Sequence, residues 1–369
     1  MTAGSLLPPH AYTDAIWFAN EQRSIFGEGW AWAGYEHWLG AVGDVHPIKV
    51  GGQPLVLVRG IDGIQVFHNV CRHRGLLLCD EPASTKRIRC PYHGWTYGLD
   101  GSLQATPYWD GSPHGGPDES ARAGMHLAPV PSATWAGMIF VHLGNVDRPF
   151  LDALAPLIRL WAPLELGRLA HAATRRFEIH ANWKLVVENF VDFYHLPFVH
   201  SQVGSAAAAL DVDDVVLDER IIGGTYPRGA VGKASKTDHP LPTFGDVPEE
   251  QRLHQDLFCV FPNALLFMEA DWFQVIGFEP VAADRTIEHM AVFVDRDAMG
   301  NQFTAARAAL AAALFGVNDQ DVPVLERLQA GRQSSASGRT NLVARWDQIG
   351  ARFQMLVVNA LEDPGVLLP

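Results

Sequence analysis

Cys71-Arg72-His73-Arg74-Gly75 and Cys90-Pro91-Tyr92-His93-Gly94-Trp95 are the runs that decide how this chain reads. Together they spell C-x-H, then 16 intervening residues, then C-x-x-H. Two thiolates and two imidazoles offered from two short runs suit a soft metal site, either zinc or an iron–sulfur cluster. Spacing separates the two. Structural zinc takes paired ligands about two to five residues apart, and the tight C-x-H half meets that poorly. A [2Fe–2S] centre with mixed ligation fits better, with Cys71 and Cys90 on one iron and His73 and His93 on the other. Neutral imidazole in place of charged thiolate raises the reduction potential above that of an all-Cys cluster.

Working outward, residues 46–50, 54–59 and 64–69 are short apolar-polar alternations with turn signals at Gly51-Gly52 and Asp62-Gly63. Asp100-Gly101 closes a further hairpin, and residues 135–143 form the last clear strand. A small antiparallel β domain follows, with both metal runs on its loops. Residues 144–149, carrying Gly, Asn, Asp and Pro, make a domain boundary. Residues 11–40 carry a helical pattern that starts at Thr13-Asp14 and reads as a packing arm. The division expected is an arm at 1–40, a cluster domain at 41–145 and a second domain at 146–369.

In the second domain the pattern predicts a helix over 151–169, a strand over 173–179 and a helix over 183–195. Residues 201–255 are weakly patterned and read as a mobile loop region of the kind that covers a pocket. Strands return at 257–261, 264–268, 272–279 and 286–295, followed by helices at 301–315, 324–329 and 342–361. Along the 183–195 helix, Glu188, Asp192 and His195 share one stripe, and Trp183, Val187, Phe190 and Tyr194 share another. Two His and a later carboxylate on one face of an iron would make a facial triad with open positions for O2. His195 and His200 are five apart, so an unbroken helix would splay them by roughly 140°. Pro197 is expected to break the helix between them and let His200 turn back. Periodicity alone favours the plainer reading, a surface helix with its polar stripe in water.

Composition sets outer limits. With 369 residues the chain can hold two domains, and 48% hydrophobic with 19% charged residues is a globular balance. A formal net charge of −13 speaks against nucleic acid or an anionic membrane as partner. Four Cys, two of them in the metal runs, leave no disulfide framework. The first residues lack a basic segment followed by an apolar core, and no apolar run reaches spanning length, so the expectation is a cytoplasmic protein.

The two Cys/His runs resemble the signature of the terminal oxygenase component of Rieske non-haem iron oxygenases, the alpha subunits of the aromatic-ring-hydroxylating family. Respiratory Rieske proteins carry an extra Cys in each ligand loop. Here Tyr92 stands in the second loop and Cys79 has no obvious partner, which points to the oxygenase branch. Asp192-Phe-Tyr-His195-Leu-Pro-Phe-Val-His200 is similar to the family's D-x-x-H-x(4)-H motif and raises the iron reading above the surface-helix one.

The resemblance implies an α+β chain, with a Rieske-type antiparallel β domain and a helix-grip (START-like) α+β catalytic domain. It implies a mononuclear Fe(II) held by His195, His200 and a later acid, for which Asp321 is chosen over its rival Asp319. Either acid reads alternatively as a helix cap, because Pro323 marks a helix start just beyond. Asp192 would bridge a cluster His of one subunit to an iron His of the next, along a path His93–Asp192–His195, and this implies a homotrimer. Asn189 is read as structural. Electrons would come from NAD(P)H through a separate reductase, with or without a ferredoxin, because the chain has no G-x-G-x-x-G opening a βαβ unit. They would pass through the cluster to Fe(II), where O2 is activated to hydroxylate or oxidatively demethylate a small aromatic or quaternary-ammonium substrate. Ring cis-dihydroxylation is the alternative within the family. A Rieske electron carrier without oxygenase activity and a redox-inert zinc module are the alternatives of other classes. Substrate contacts are expected from Phe193, Leu196, Phe198, Phe258, Glu269 and Asp271, whose aromatic faces and acids suit a ring or an ammonium.

Overall fold

The computed structural model describes residues 3–200, 215–228, 240–338 and 341–361. Two compact units make up the chain, Phe26–Asp147 and Met1–Ile25 joined with Arg148–Pro369. The first boundary therefore falls after residue 25 rather than 40. The arm helix α1 (Ala15–Ser24) stops ahead of Gly27-Glu28-Gly29. Ala31–Tyr35, expected to be helical, is instead a fully buried strand paired with Met138–Val141.

In Phe26–Asp147, Asp44–Val50 and Gln53–Gly60 form a hairpin joined on one side by Gly63–His68 and on the other by Ala83–Ser84. Gly51 and Gly52 both have positive φ (56° and 73°), the backbone that a tight hairpin turn between right-twisted strands requires. Ile88–Arg89, Thr96–Tyr97 and Leu103–Ala105 make a small second sheet. Cys71 and Cys90 are part of the apolar core between these strands, packed with Val56, Val58, Phe67 and Tyr97.

The larger unit is built on a seven-stranded antiparallel sheet. Its strands are β1 (Leu169–Ile179), β2 (Val215–Asp218), β3 (Ile221–Pro227), β4 (His254–Val260), β5 (Ala264–Met268), β6 (Trp272–Ala282) and β7 (Arg285–Asp295), in spatial order β1-β7-β6-β5-β4-β3-β2. The 201–255 stretch thus contains two strands where a loop is expected, while its residues 201–214 and 229–239 lie outside the described residues. Gly223 and Gly224 break the apolar alternation of β3, which is why it does not read as a strand.

The helices are α2 (Phe150–Leu160), α3 (Trp183–Val191), the four-residue α4 (Leu196–Val199), α5 (Thr304–Arg332) and α6 (Gln348–Leu361). Three readings change. The helix expected over 183–195 ends at Val191, where Asp192 turns extended (φ −91°, ψ 119°). Pro197 then sits in the first turn of α4, opening a helix rather than breaking one, as its fixed φ and missing N–H favour. The two late helices are one 29-residue helix that runs through Pro323 and forgoes only the bond its N–H would give the Asp319 carbonyl. Among the described residues no helix is long and apolar enough to cross a membrane.

Residues of the arm are locked to α3 by a buried ion pair. Lys184 Nζ lies 2.5 Å from Glu21 Oε1, both side chains fully buried, and Trp183 Nε1 donates to Glu21 Oε2 (2.8 Å). Removing one partner strands the other charge away from water. Lys184→Met is therefore expected to destabilise this unit by ~3–5 kcal/mol, with the double variant Lys184→Met/Glu21→Gln recovering most of the loss. Urea unfolding followed by tryptophan fluorescence checks this, and a single variant as stable as the parent would refute it.

Candidate metal centres and pocket

In the smaller unit the two Cys/His runs fold into matching loops. Gly75 N–H donates to the Cys71 carbonyl (2.9 Å) and Gly94 N–H to the Cys90 carbonyl (3.0 Å). Cys71 N–H donates to the Leu76 carbonyl and Cys90 N–H to that of Trp95, each at 2.8 Å. Gly75 and Gly94 close the two loops with the same φ of +74°, a conformation that a Cβ would strain. The cysteines are buried, whereas His73 and His93 are exposed, with ring centroids 4.6 Å apart. His73 stacks on Trp95 at 4.9 Å.

Burial pushes the Cys90 thiol up, and the backbone N–H groups of Tyr92 and His93 aimed at its sulfur pull against that. Those N–H groups and Tyr97 Oη, 3.4 Å from Cys71 Sγ, are donors suited to thiolate charge. A thiolate pair inside and an imidazole pair at the surface fit a [2Fe–2S] cluster whose His-ligated iron faces outward. Cys79, only partly buried, and fully buried Cys259 stand apart as free cysteines.

In the larger unit His195 and His200 flank α4, so one helical turn spaces them and folds both inward. Asp321 meets them from α5. Its Oδ1 is 3.1 Å from His200 Nε2 and 3.5 Å from His195 Nε2, and one donor atom from each residue falls within 4.8 Å of the others. Asp319, two positions earlier and so about 200° round the helix, instead forms an exposed two-point pair with Arg175 (2.6 and 2.7 Å). Neither acid caps a helix, because both lie inside α5.

The far ring nitrogens set the tautomers. His195 Nδ1–H donates to Asp192 Oδ2 (3.2 Å) and His200 Nδ1–H to Gln320 Oε1 (2.8 Å), which leaves both Nε2 lone pairs directed at Asp321. His200 Nε2 is buried and makes no hydrogen bond among the described residues, so it faces a carboxylate oxygen as an orphaned nitrogen. A divalent cation satisfies that arrangement, and the donor set is the two-His, one-carboxylate face suited to Fe(II). Before a cation binds, burial opposes charge on His195, yet hydrogen bonds to Asp192 and, through a protonated Nε2, to Asp321 outweigh it and push its pKa up to about 9. A metal would replace that Nε2 proton. Burial likewise opposes ionisation of Asp321, and the two imidazoles overcome it and hold the carboxyl below its usual range.

A cavity of about 340 Å³ opens on these three residues. One wall is a single face of the sheet. Leu265, Ile276 and Met290 form a row across β5, β6 and β7, and Leu257, Phe267 and Gln274 form the next across β4, β5 and β6. The opposite wall comes from Val186, Asn189 and Phe190 of α3 and from α5.

Five of the six expected substrate contacts fall elsewhere. Phe258 points to the other sheet face, because its neighbour Leu257 takes the inward parity. Phe193 packs on Tyr226 (4.7 Å), and Phe198 is 78% exposed. Glu269 and Asp271 sit at the β5–β6 turn, outside the lining, and both pair with Arg228 (2.7 and 2.6 Å). One guanidinium thus already engages both carboxylates, and burial pushes Glu269 up to about 7. Leu196 lines the cavity.

Sequence reasoning missed two groups, Asn189 and Glu288. Asn189 Nδ2 lies 3.4 Å from Asp321 Oδ1 and 3.5 Å from His195 Nε2, so this residue borders the iron face. Glu188, on the same stripe as Asp192 and His195, instead supports neighbouring elements by accepting from Tyr12 and Gln354. Glu288 of β7 is buried in the cavity wall and accepts from Asn318 Nδ2 (2.8 Å). Burial, only partly offset by that bond, pushes its carboxyl up to about 7. Its one available signal was a Glu sharing strand parity with Met290 and Val292.

Residues 166–362, more than half of the chain, match the family described as ring hydroxylating alpha subunit (catalytic domain), and residues 29–114 match the Rieske [2Fe-2S] domain. The chain belongs to the ring-hydroxylating alpha subunits, Rieske oxygenases whose cofactors are a [2Fe–2S] cluster and a mononuclear iron. Among relatives, the glycine betaine monooxygenase oxygenase subunit of Chromohalobacter salexigens is 36% identical over 56% of this chain and 46% of its own. The chloroplastic choline monooxygenase of Atriplex hortensis is 26% identical over 91% of this chain and 74% of its own. The matched stretch thus spans about half the length of the betaine relative (46%). A solved quaternary ammonium Rieske monooxygenase, CntA, superposes with a TM-score of 0.78 at 24% identity, covering 97% of this chain and 96% of that one. Naphthalene 1,2-dioxygenase superposes at 0.74 and 22%, covering 93% and 83%. At these identities the two structures speak for the fold alone.

Proposed function

We propose that this chain is a cytoplasmic terminal oxygenase that takes electrons from an NAD(P)H-dependent reductase, directly or through a ferredoxin, and uses O2 to hydroxylate or oxidatively demethylate a quaternary-ammonium or small aromatic substrate. The observation that carries it is the convergence of His195, His200 and Asp321 on one point of a largely apolar cavity. Cys71, Cys90, His73 and His93 would hold the cluster, and the triad would hold Fe(II). Together these groups supply single-electron delivery and O2 activation.

The chain's own residues orient and enclose. Asp192 and Gln320 fix the two imidazoles, while Phe190, Phe267 and Trp272 supply flat walls and exclude water. In a homotrimer, half-exposed Asp192 would stand between His195 of its own subunit and a cluster imidazole of the next. The names of two relatives, betaine and choline monooxygenases, favour the ammonium class over ring dihydroxylation.

Two measurements test this. Anaerobically purified protein should contain about three irons and two sulfides per chain and give a Rieske-type EPR signal when reduced. About two irons and two sulfides, unchanged by iron reconstitution, would favour an electron carrier, and a colourless zinc protein would end both readings. With a reductase and NADH, methylated ammonium compounds should release formaldehyde or yield a hydroxylated product. A cis-diol from an arene would overturn the preference for monooxygenation.

A further inference from the structure

Glu288 has no part in holding metal, yet it occupies the wall of the cavity that the triad opens into. It is 2% exposed and borders a mostly apolar lining. Among the described residues Asn318 is its one hydrogen-bond donor, and no Lys or Arg lines the cavity, whose basic groups are the two iron-facing imidazoles. A carboxyl group buried this way costs several kcal/mol when it ionises without a counter-charge. A neutral ring bound in the cavity would supply none. A cationic nitrogen would supply it, and Phe190, Phe267 and Trp272 in the same lining offer faces that attract cations further.

We propose that Glu288, held by Asn318, is the specificity-determining anion of this pocket, pairing with a positively charged nitrogen so that cationic alkylamines or quaternary ammonium compounds are taken in preference to neutral molecules of the same shape. The inference rests on the oxygenase reading and decides between its two substrate classes. The bound cation stabilises the ionised carboxylate, offsetting the burial that raises its pKa. Asn318 stands one helical turn before Asp321 on α5, so the Glu288–Asn318 bond also fixes the cation site relative to the iron face.

The test is equilibrium binding to anaerobic holoenzyme without reductase or O2, which separates recognition from turnover. Calorimetry would compare choline with its uncharged isostere 3,3-dimethyl-1-butanol in the parent, Glu288→Gln and Glu288→Asp. Gln keeps an acceptor for Asn318 and removes only the charge. The parent is expected to prefer the cation by on the order of 10- to 100-fold, Glu288→Gln to lose that preference, and Glu288→Asp to keep part of it. Iron and sulfide content should be equal in all three. A parent that binds the neutral isostere as well as the cation, or a Glu288→Gln variant with undiminished preference, would overturn the assignment. Failure of the oxygenase reading would appear separately, as missing iron or missing O2-dependent turnover in the parent.

Discussion

Asp321→Ala is expected to empty the mononuclear iron site and abolish substrate oxidation while the protein keeps the colour of its cluster. Asp321 is the only carboxylate among the described residues whose oxygen approaches both His195 and His200, and as the proposed third ligand it would supply negative charge to a divalent ion. Two neutral imidazoles alone hold Fe(II) weakly, so iron should fall from about three to about two per chain with sulfide unchanged. His195→Ala should behave alike. Asp319→Ala is the control, since its exposed pair with Arg175 contributes ~0–1 kcal/mol and faces away from the triad. Loss of cluster colour in Asp321→Ala would contradict two separate metal sites. Full iron retention there, with loss in Asp319→Ala, would reverse the choice of ligand.

Asp192→Asn is expected to retain both metals and to slow steady-state turnover by on the order of 100-fold. The substitution preserves size and an acceptor oxygen, so α3 and α4 should keep their places. What it removes is the charge that holds the His195 Nδ1–H and, in the proposed trimer, one member of the path between cluster and iron. Weakening the outer hydrogen bond to a ligating His, by removing its charge, costs up to roughly 10–100-fold in typical cases. Interrupted electron transfer adds to that. Rapid mixing of reduced enzyme with O2 and substrate distinguishes the parts, because cluster oxidation should slow in step with turnover. Near-normal turnover would remove the bridging role, and iron loss would reduce Asp192 to a ligand support.

Much of the cluster domain was legible, because a ligand loop is written in adjacent residues. Cys71 to Gly75 and Cys90 to Gly94 each close on their own backbone, and short-range bonds do not depend on the rest of the chain. The β-hairpins around them carry Gly-Gly and Asp-Gly turns for the same reason. The arm was misjudged at Ala31–Tyr35, where small and aromatic residues in an all-buried strand leave no polar alternation to read. Pro197 was taken as a break and Pro323 as a helix start, yet α4 begins with the one while α5 runs through the other. A proline costs a helix one hydrogen bond, and packing decides whether that loss is tolerated.

By itself the sequence determined the donor types: two Cys and two His in one half, His195 and His200 in the other, and two acids eligible as the third iron partner. It determined these because spacing within a few residues fixes which atoms a loop or turn can present. Only the tertiary structure decided for Asp321, since the phase of a 29-residue helix sets which acid meets histidines more than 120 positions earlier. It alone exchanged Phe258 for Leu257, took Glu269 and Asp271 out of the pocket and put Glu288 in. Strand parity and helix phase are fixed by register against distant neighbours, and a shift of one residue turns a pocket wall inside out.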